Sequence, residues 1–331
     1  MIKKHLLPFD KPRSRILIKK AKSNPIYGKK IEDRTINELL KNSYINIDKP
    51  LGPTSHQVDS WIKKILKTER IGHSGTLDPN ATGVLPIGVG SATKILQFLL
   101  PAGKEYIGLM KLHNDCQAEK IKEICKNFIG KITQIPPVRS AVKRERRKRE
   151  IYYLEVLEIK GREVLLKVGC ESGTYIRTLV VDIGKKLKTG AHLAELRRTK
   201  VGNIIEEKSF NLYDLKDAMV FYKEGDKSYI KDILKPPEEM LSYLPKIVIH
   251  DHAVDAICHG ANLMKPGIVE LDSDIKKDDF VLIITLKGEA VAVGKTKLST
   301  EEIVHVQKGE CVVLERVIMN KDIYPSVWKK P

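Results

Sequence analysis

Asp78 is the residue whose surroundings first suggest chemistry. It lies inside Arg70-Ile-Gly-His-Ser-Gly-Thr-Leu-Asp-Pro-Asn-Ala-Thr-Gly-Val-Leu-Pro-Ile-Gly-Val-Gly90, a stretch whose glycines and prolines break helical periodicity and read as a long loop with one central acid. Long loops in compact domains are where a scaffold positions groups for binding and reaction. A carboxylate there can serve as a nucleophile if a cation keeps it ionised and aims it. The plainer reading is an Asp-Pro turn whose side chain accepts from nearby backbone donors. Arg177 is the candidate cation, because it falls in the first turn of an expected helix over 174–188 and off the apolar stripe of that helix. A cation there opposes the positive end of the helix dipole, so it either points into solvent or meets an anion.

The elements that must position these two groups follow from periodicity. Ile176, Leu179, Val180, Ile183 and Leu187 recur at helical spacing. Just before them, strand patterns over 152–159 and 164–170 flank Lys160-Gly161-Arg162, a hairpin turn. Strand and helix signals mix over 44–241 without the rhythm of a doubly wound sheet. Pro236-Pro237 and Pro245 mark a boundary, after which short β-runs at 280–286, 290–293 and 311–317 make a small β-rich domain. Residues 1–40, rich in Lys, Arg, Asn and Pro, form an extension that must lean on a folded body to be ordered. The expectation is an α+β protein of two domains.

Several chemistries are excluded or disfavoured. Gly88-Val89-Gly90 followed by Lys94 lacks the spacing of a phosphate loop, and Gly72-His73-Ser74-Gly75 is not the hydrolase nucleophile pattern. The five cysteines are odd in number and contain no C-x-x-C pair, so no metal site and no disulfide framework is expected. No apolar run approaches the roughly 18–20 residues of a membrane span. The expectation is a soluble, cytoplasmic protein. A formal charge of +17 favours a polyanionic partner, without separating RNA from DNA or a charged surface.

Gly72-His-Ser-Gly-Thr-Leu-Asp-Pro-Asn-Ala-Thr-Gly83 resembles the catalytic motif of the TruB-type pseudouridine synthases. Tyr44-Ile-Asn-Ile-Asp-Lys-Pro-Leu-Gly-Pro-Thr-Ser-His56 is similar to the first motif of that family, and Gly103-Lys-Glu-Tyr106 to its tyrosine motif. Pro136-Pro-Val-Arg-Ser-Ala-Val-Lys143, Gly173-Thr-Tyr-Ile-Arg-Thr178 and Gly190-Ala-His-Leu-Ala-Glu-Leu-Arg-Arg198 resemble further active-site segments, in the family's order. The C-terminal part looks like a PUA domain, an RNA-binding β-barrel. Within the family the likeness is to the archaeal dyskerin type, the catalytic subunit of H/ACA ribonucleoproteins. It rests on the N-terminal extension, on Lys143-Arg-Glu-Arg-Arg-Lys-Arg149 and on Arg316-Val-Ile-Met-Asn-Lys-Asp-Ile-Tyr-Pro-Ser-Val-Trp328.

The resemblance implies a mixed, largely antiparallel-sheet catalytic domain over 41–244, a PUA barrel over 245–321 with the 1–40 extension packed on it, and a tail over 322–331. It implies isomerisation of uridine to pseudouridine without a cofactor. Asp78 would be the nucleophile, Arg177 its cationic partner, and Tyr106 a platform for the extruded base and a route for its proton. Lys49, His73, Tyr175 and Leu196 would bind or support the substrate. Arg144, Arg146, Arg147, Lys148 and Arg149, in a thumb-loop position, and Gly260, Lys265 and Gly267 of the PUA-like loop would contact RNA; a solvated helix face is the plain alternative for 143–149. Implied partners are an H/ACA guide RNA, rRNA or tRNA substrate, and three small protein subunits. A stand-alone tRNA synthase and a catalytically idle RNA scaffold remain the alternatives.

Overall fold

The structure, a computed structural model, describes residues 6–8, 10, 12–136 and 143–326. Among these, nine strands make the larger sheet, in the order Asn42–Lys49, Ala81–Gly90, Ala191–Val201, Lys104–Leu112, Glu163–Cys170, Arg147–Lys160 and Gly130–Gln134, with Ile71–His73 and Ile204–Ile205 paired alongside. Pairing is antiparallel except between Ala81–Gly90 and Ala191–Val201, which run parallel from Ala81 opposite Leu196 to Gly83 opposite Arg198. The α+β expectation holds. That parallel seam brings the segment after Asp78 beside residues 196–198.

Two helices brace this sheet. Ser55–Leu66 begins at a capping box, with Thr54 and Gln57 satisfying each other's backbone N–H groups. It buries Val58, Ile62 and Leu66 among Ile45, Ile47, Leu85 and Ile87. The expected 174–188 helix spans Ile176–Leu187 and buries the predicted stripe of Ile176, Leu179, Val180, Ile183 and Leu187 against Met110, Leu112, Val164, Leu166 and Val168. The hairpin before it also forms, with Gly161 at φ +58° in the turn.

The glycine-rich stretch is not the long loop the sequence suggests. Ile71–His73 and Ala81–Gly90 are strands, and only residues 74–80 are irregular. Glycine serves close approach here: a Cβ on Gly83, at φ +99°, would lie 2.1 Å from the Arg198 carbonyl oxygen, and one on Gly90 would strike the Lys41 backbone. Pro86 is tolerated because its missing donor faces a gap between partners. On that side Ala81–Gly83 pair with Ala191–Val201 and Ile87–Val89 with Ile71–His73, while the Pro86 carbonyl accepts from Ser74 N.

The C-terminal part holds a seven-stranded sheet, among the described residues, in the order Arg15–Leu17, Ile268–Asp272, Lys246–Ile249, Phe280–Thr285, Ala290–Thr296, Glu310–Val317 and Leu263–Met264. The three predicted β-runs are present; the strands over 246–249, 263–264 and 268–272 were not predicted. Strand Arg15–Leu17 adds the extension to this sheet, and Arg13 reaches Asp274 at 3.0 Å and the Tyr243 carbonyl at 2.9 Å. The extension ends elsewhere, however. Its helix Ile36–Lys41 buries Ile36 and Leu39 in the core of the larger sheet. A shared core of Tyr44, Val84, Leu96, Phe98 and Leu99 with Leu244, Val248, Leu282, Ile284 and Val293 joins the two sheets.

Candidate active site

Residues 74–80 are held almost entirely through backbone. The Ser74 hydroxyl donates to the Leu96 carbonyl (3.1 Å), and Leu77 N donates to Ser55 Oγ (2.9 Å). Gly75, at φ +73°, offers its carbonyl to Arg198 Nη2 at 2.7 Å. Lys49 is fully buried, and its ammonium donates to the carbonyls of Pro50 (2.9 Å) and Ala81 (2.8 Å), with Pro79 at 3.4 Å. Burial lowers the Lys49 pKa, Asp78 pulling it the other way and Arg198 adding to the fall. Lys49 therefore fixes the floor of the turn from beneath.

At the tip, Asp78 Oδ2 accepts from Arg177 Nη2 at 2.8 Å. Sequence left Arg177 between solvent and an anion; the anion is Asp78. The side chains are 65% (Asp78) and 52% (Arg177) exposed, so the pair contributes about 0–1 kcal/mol to stability. Its geometry serves orientation more than folding, because it holds and aims one carboxylate oxygen.

Tyr106 stands on strand Lys104–Leu112, opposite Arg198 on one side and Val168 on the other. Residues 104, 106, 110 and 112 share a face. Met110 and Leu112 on that face touch the core of helix Ile176–Leu187, so the helix's first turn, Arg177 and Tyr106 lie on one side of the sheet. Glu105, on the other face, accepts from Tyr153 (2.5 Å), Thr199 (2.8 Å) and Lys167 (3.1 Å). Leu196, half-buried, packs into the same cluster as Tyr106. Tyr175 is the N-cap residue of the helix, and both its backbone N–H and its carbonyl are engaged by the Gln134 amide, at 3.0 and 3.1 Å.

His73 sits at the edge of the site, Nδ1 2.7 Å from Asp59 Oδ2 and Nε2 3.1 Å from Thr76 Oγ1. Ligating atoms of His56, Asp59 and His73 lie within 4.8 Å of one another, as do those of Asp255, His259 and Asp322. In the first group the Asp59 carboxylate is already committed to His73.

Three candidates are placed differently from the expectation. The 143–149 cluster is neither a loop throughout nor a helix face. Residues 143–146 are irregular, with Arg144 donating to the Pro136 carbonyl at 3.3 Å, while Arg147, Lys148 and Arg149 begin strand Arg147–Lys160 and pair with Gly130–Gln134. Exposure alternates from Arg147 to Tyr153 although residues 147–150 are all charged, so the strand is set by pairing that composition does not reveal. Lys265 is buried, and its ammonium donates to the Ile303 carbonyl, so it is not a surface cation; burial lowers its pKa. Gly267 serves packing, since a Cβ there would stand 3.1 Å from Ala253 and Leu263 side chains, whereas Gly260, at φ +94°, has open space around it. Residues 137–142 of the Pro136-to-Lys143 motif, and Val327 and Trp328 of the C-terminal motif, lie outside the described residues.

Arg198 and Lys104 were not singled out by sequence. Arg198 is 1% exposed, with Nε donating to the Val84 carbonyl (2.8 Å) and Nη2 to that of Gly75. Its neighbour Arg197 points to the other face, where Asp48 takes it bidentately at 2.9 Å and Glu206 at 2.7 Å. Two adjacent arginines inside a strand must point to opposite faces, a signal that one goes inward. Lys104, 5% exposed, donates to the Leu100 and Ala102 carbonyls, both at 2.6 Å, and to Ser172 Oγ at 3.1 Å. Burial first, and Arg198 second, bring its pKa down to about 7.

Comparison with known proteins places this geometry. The family described as TruB family pseudouridylate synthase (N terminal domain) matches residues 63–176, the tRNA pseudouridylate synthase B C-terminal domain 177–242, the PUA domain 245–318 and the DKCLD domain 5–59. A protein of Methanopyrus kandleri named probable tRNA pseudouridine synthase B is 51% identical over 97% of this chain and 96% of its own. A Pyrococcus abyssi protein of the same name is 50% identical over 98% of each. A chain in the crystal structure of a Cbf5-Nop10-Gar1 complex superposes with a TM-score of 0.94 at 48% identity, covering 98% of this chain and 99% of that one. A chain in an H/ACA RNP bound to a substrate RNA containing 2'-deoxyuridine does so at 0.92 and 46%, covering 98% and 100%.

Proposed function

The chain belongs to the TruB family of pseudouridine synthases, and on that premise we propose that it isomerises uridine in RNA with Asp78 as the nucleophile and with a guide RNA choosing the uridine. The observation that carries the assignment of Asp78 is its 2.8 Å contact with Arg177 at the exposed tip of a loop whose backbone is held by Lys49 and Arg198. Asp78 attacks the nucleotide and the bond from N1 to the ribose breaks. The freed uracil turns and rejoins through carbon 5, Asp78 is released from the nucleotide, the proton on carbon 5 departs and N1 gains one, so the sum is an isomerisation. Arg177 keeps Asp78 ionised and directed. Tyr106 lies against the base flipped out of its helix, a stacking contact of about 1–3 kcal/mol, and takes up the carbon-5 proton. His73 and Leu196 border the opened base, and Lys49 and Tyr175 support the pocket.

The partners follow from the same reading. The structural relatives occur with small protein subunits and with H/ACA RNA, and coverage of nearly the whole chain supports the same assembly here. Residues 144, 146 and 148 are exposed cations beside the site, suited to phosphate contacts that position RNA without reading it. The open backbone at Gly260 suits close approach of the guide's 3′ end to the PUA domain. No helix among the described residues is long and apolar enough to cross a membrane; a cytoplasmic setting is the location this reading favours.

The names of the sequence relatives point to a second reading, action on tRNA without a guide. Tritium release from carbon-5-labelled RNA, with purified protein alone and with guide and subunits added, separates the two. Release from a guide-matched rRNA fragment only when guide is present is expected; equal release without guide would contradict guide selection.

A further inference from the structure

Among the described residues, the buried cation behind Tyr106 meets no carboxylate. Of these residues Arg198 has the bulkiest fully buried side chain; its guanidinium donates to the Val84 and Gly75 carbonyls, and it stands directly across the strands from Tyr106. Removing a guanidinium from water without an anion is unfavourable, and an apolar side chain of similar volume would often be no worse for stability. Room is nevertheless made for it. Gly83 approaches its backbone, and a Cβ on Gly75 would stand 3.3 Å from Nη1. Its strand neighbour Arg197, by contrast, has two carboxylates.

Among the described residues, charged and titratable groups face Tyr106 from several of the elements packed on it. Arg198 faces the hydroxyl from strand Ala191–Val201, Cys170 from Glu163–Cys170, and Asp78 from the 74–80 loop. Lys104, two residues along the same strand, faces Arg198 and Cys170. Burial first, with Cys170 and Asp78, works against negative charge on Tyr106 and leaves its pKa raised, while Arg198 works for it. Asp78 is itself held by Arg177. Arg198 is therefore the cation assigned to the tyrosine as Arg177 is to the aspartate.

We propose that Arg198 is a positioning residue for the isomerisation that acts through Tyr106: it pins the 74–80 loop against the tyrosine and sets a permanent positive charge opposite the hydroxyl, which must carry negative charge before it can take the carbon-5 proton. Arg198 itself gains and loses no proton. Tyr106 gives its hydroxyl proton to solvent before the transfer and accepts the one from carbon 5, while N1 takes one from solvent, so the sum is zero. Fixed positive charge in a dry site needs no reorganisation at the moment of reaction. The inference rests on the assignment of Tyr106 to proton transfer made above.

The test uses the full chain with its guide and subunits and follows single-turnover tritium release from pH 6 to 10 in the parent, Arg198→Lys, Arg198→Gln and Tyr106→Phe, with RNA binding and melting temperature measured alongside. Arg198→Gln is expected to bind RNA as the parent does and to lose about tenfold or more in rate. Its rate profile should move about one pH unit or more to the alkaline side, because an opposite charge close to the hydroxyl has been removed. Arg198→Lys, which keeps charge with a different reach, should fall between, and should carry the test if Arg198→Gln does not fold. In a Tyr106→Phe background the Arg198 substitution should cost little more. A profile that scales down evenly at all pH values, or a full further loss on Tyr106→Phe, overturns the inference and leaves Arg198 a packing residue. Tyr106→Phe with parental rate would instead overturn the assignment of Tyr106 itself.

Discussion

At the scale of single residues the site is a set of cations arranged around one carboxylate, and they differ in what they meet. Arg177 meets Asp78 in solvent, whereas Lys49, Lys104 and Arg198 are buried on carbonyls and hydroxyls. Lys104 makes a test of that burial. Its pKa falls from 10.5 to about 7, so above pH 7 the folded protein releases a proton that the unfolded chain still holds. The unfolded state then binds more protons, and the contribution of Lys104 to stability rises with pH until the unfolded lysine also titrates. Relative to Lys104→Met, the parent should gain up to about 1.4 kcal/mol per pH unit between roughly pH 7 and 10, read from denaturation midpoints. A difference constant across that range would contradict the assignment. Sequence alone exposed Asp78 and Arg177, because a lone acid among glycines and a cation at the wrong end of a helix both violate local expectation. It did not expose Lys104 or Arg198, and it misplaced Lys265, because a lysine in a strand or tight turn carries no mark of which way it points. Only the face assignment of its neighbours settles that.

At the scale of elements, the amphipathic stripe 176–187 and the hairpin around Gly161 were legible because side-chain period and turn chemistry are local. The 81–90 strand was not, since glycine and proline are ordinarily strand breakers and their tolerance here comes from partners distant in sequence. Gly83 is the sharpest case. Alanine there must take φ +99° and place its Cβ 2.1 Å from the Arg198 carbonyl oxygen, so strand pairing and the residue that pins the catalytic loop are disturbed together. Gly161→Ala meets nothing within 4 Å and bears only the cost of φ +58°. Gly83→Ala should lose about 3 kcal/mol or more by urea denaturation, and Gly161→Ala about 1 kcal/mol. Equal losses would show that the close approach at Gly83 is unimportant. The short strands 246–249 and 263–264 escaped the sequence reading because four and two residues are too few to establish a period.

At the scale of the molecule, composition foresaw a polyanionic partner and two bodies, but not that one apolar core would run from Phe98 and Leu99 to Leu282 and Val293 across the boundary. Nor did it foresee that the extension would finish in the larger sheet's core while its first strand extends the smaller sheet. Together these hold the catalytic surface and the PUA domain in one relation, as a protein must if one RNA is gripped at one end and presented at the other. The Asp78–Arg177 pair remains open to solvent, so a large substrate has to close the site. In the proposed reaction this exposed carboxylate is the nucleophile. That role is tested most directly by tritium release from carbon-5-labelled substrate RNA in the complex assembled with guide and subunits, comparing the parent with Asp78→Asn. Release should fall to background while RNA binding, assembly and thermal stability remain at parental values; release at the parental rate from the substituted protein would rule out Asp78 as the nucleophile.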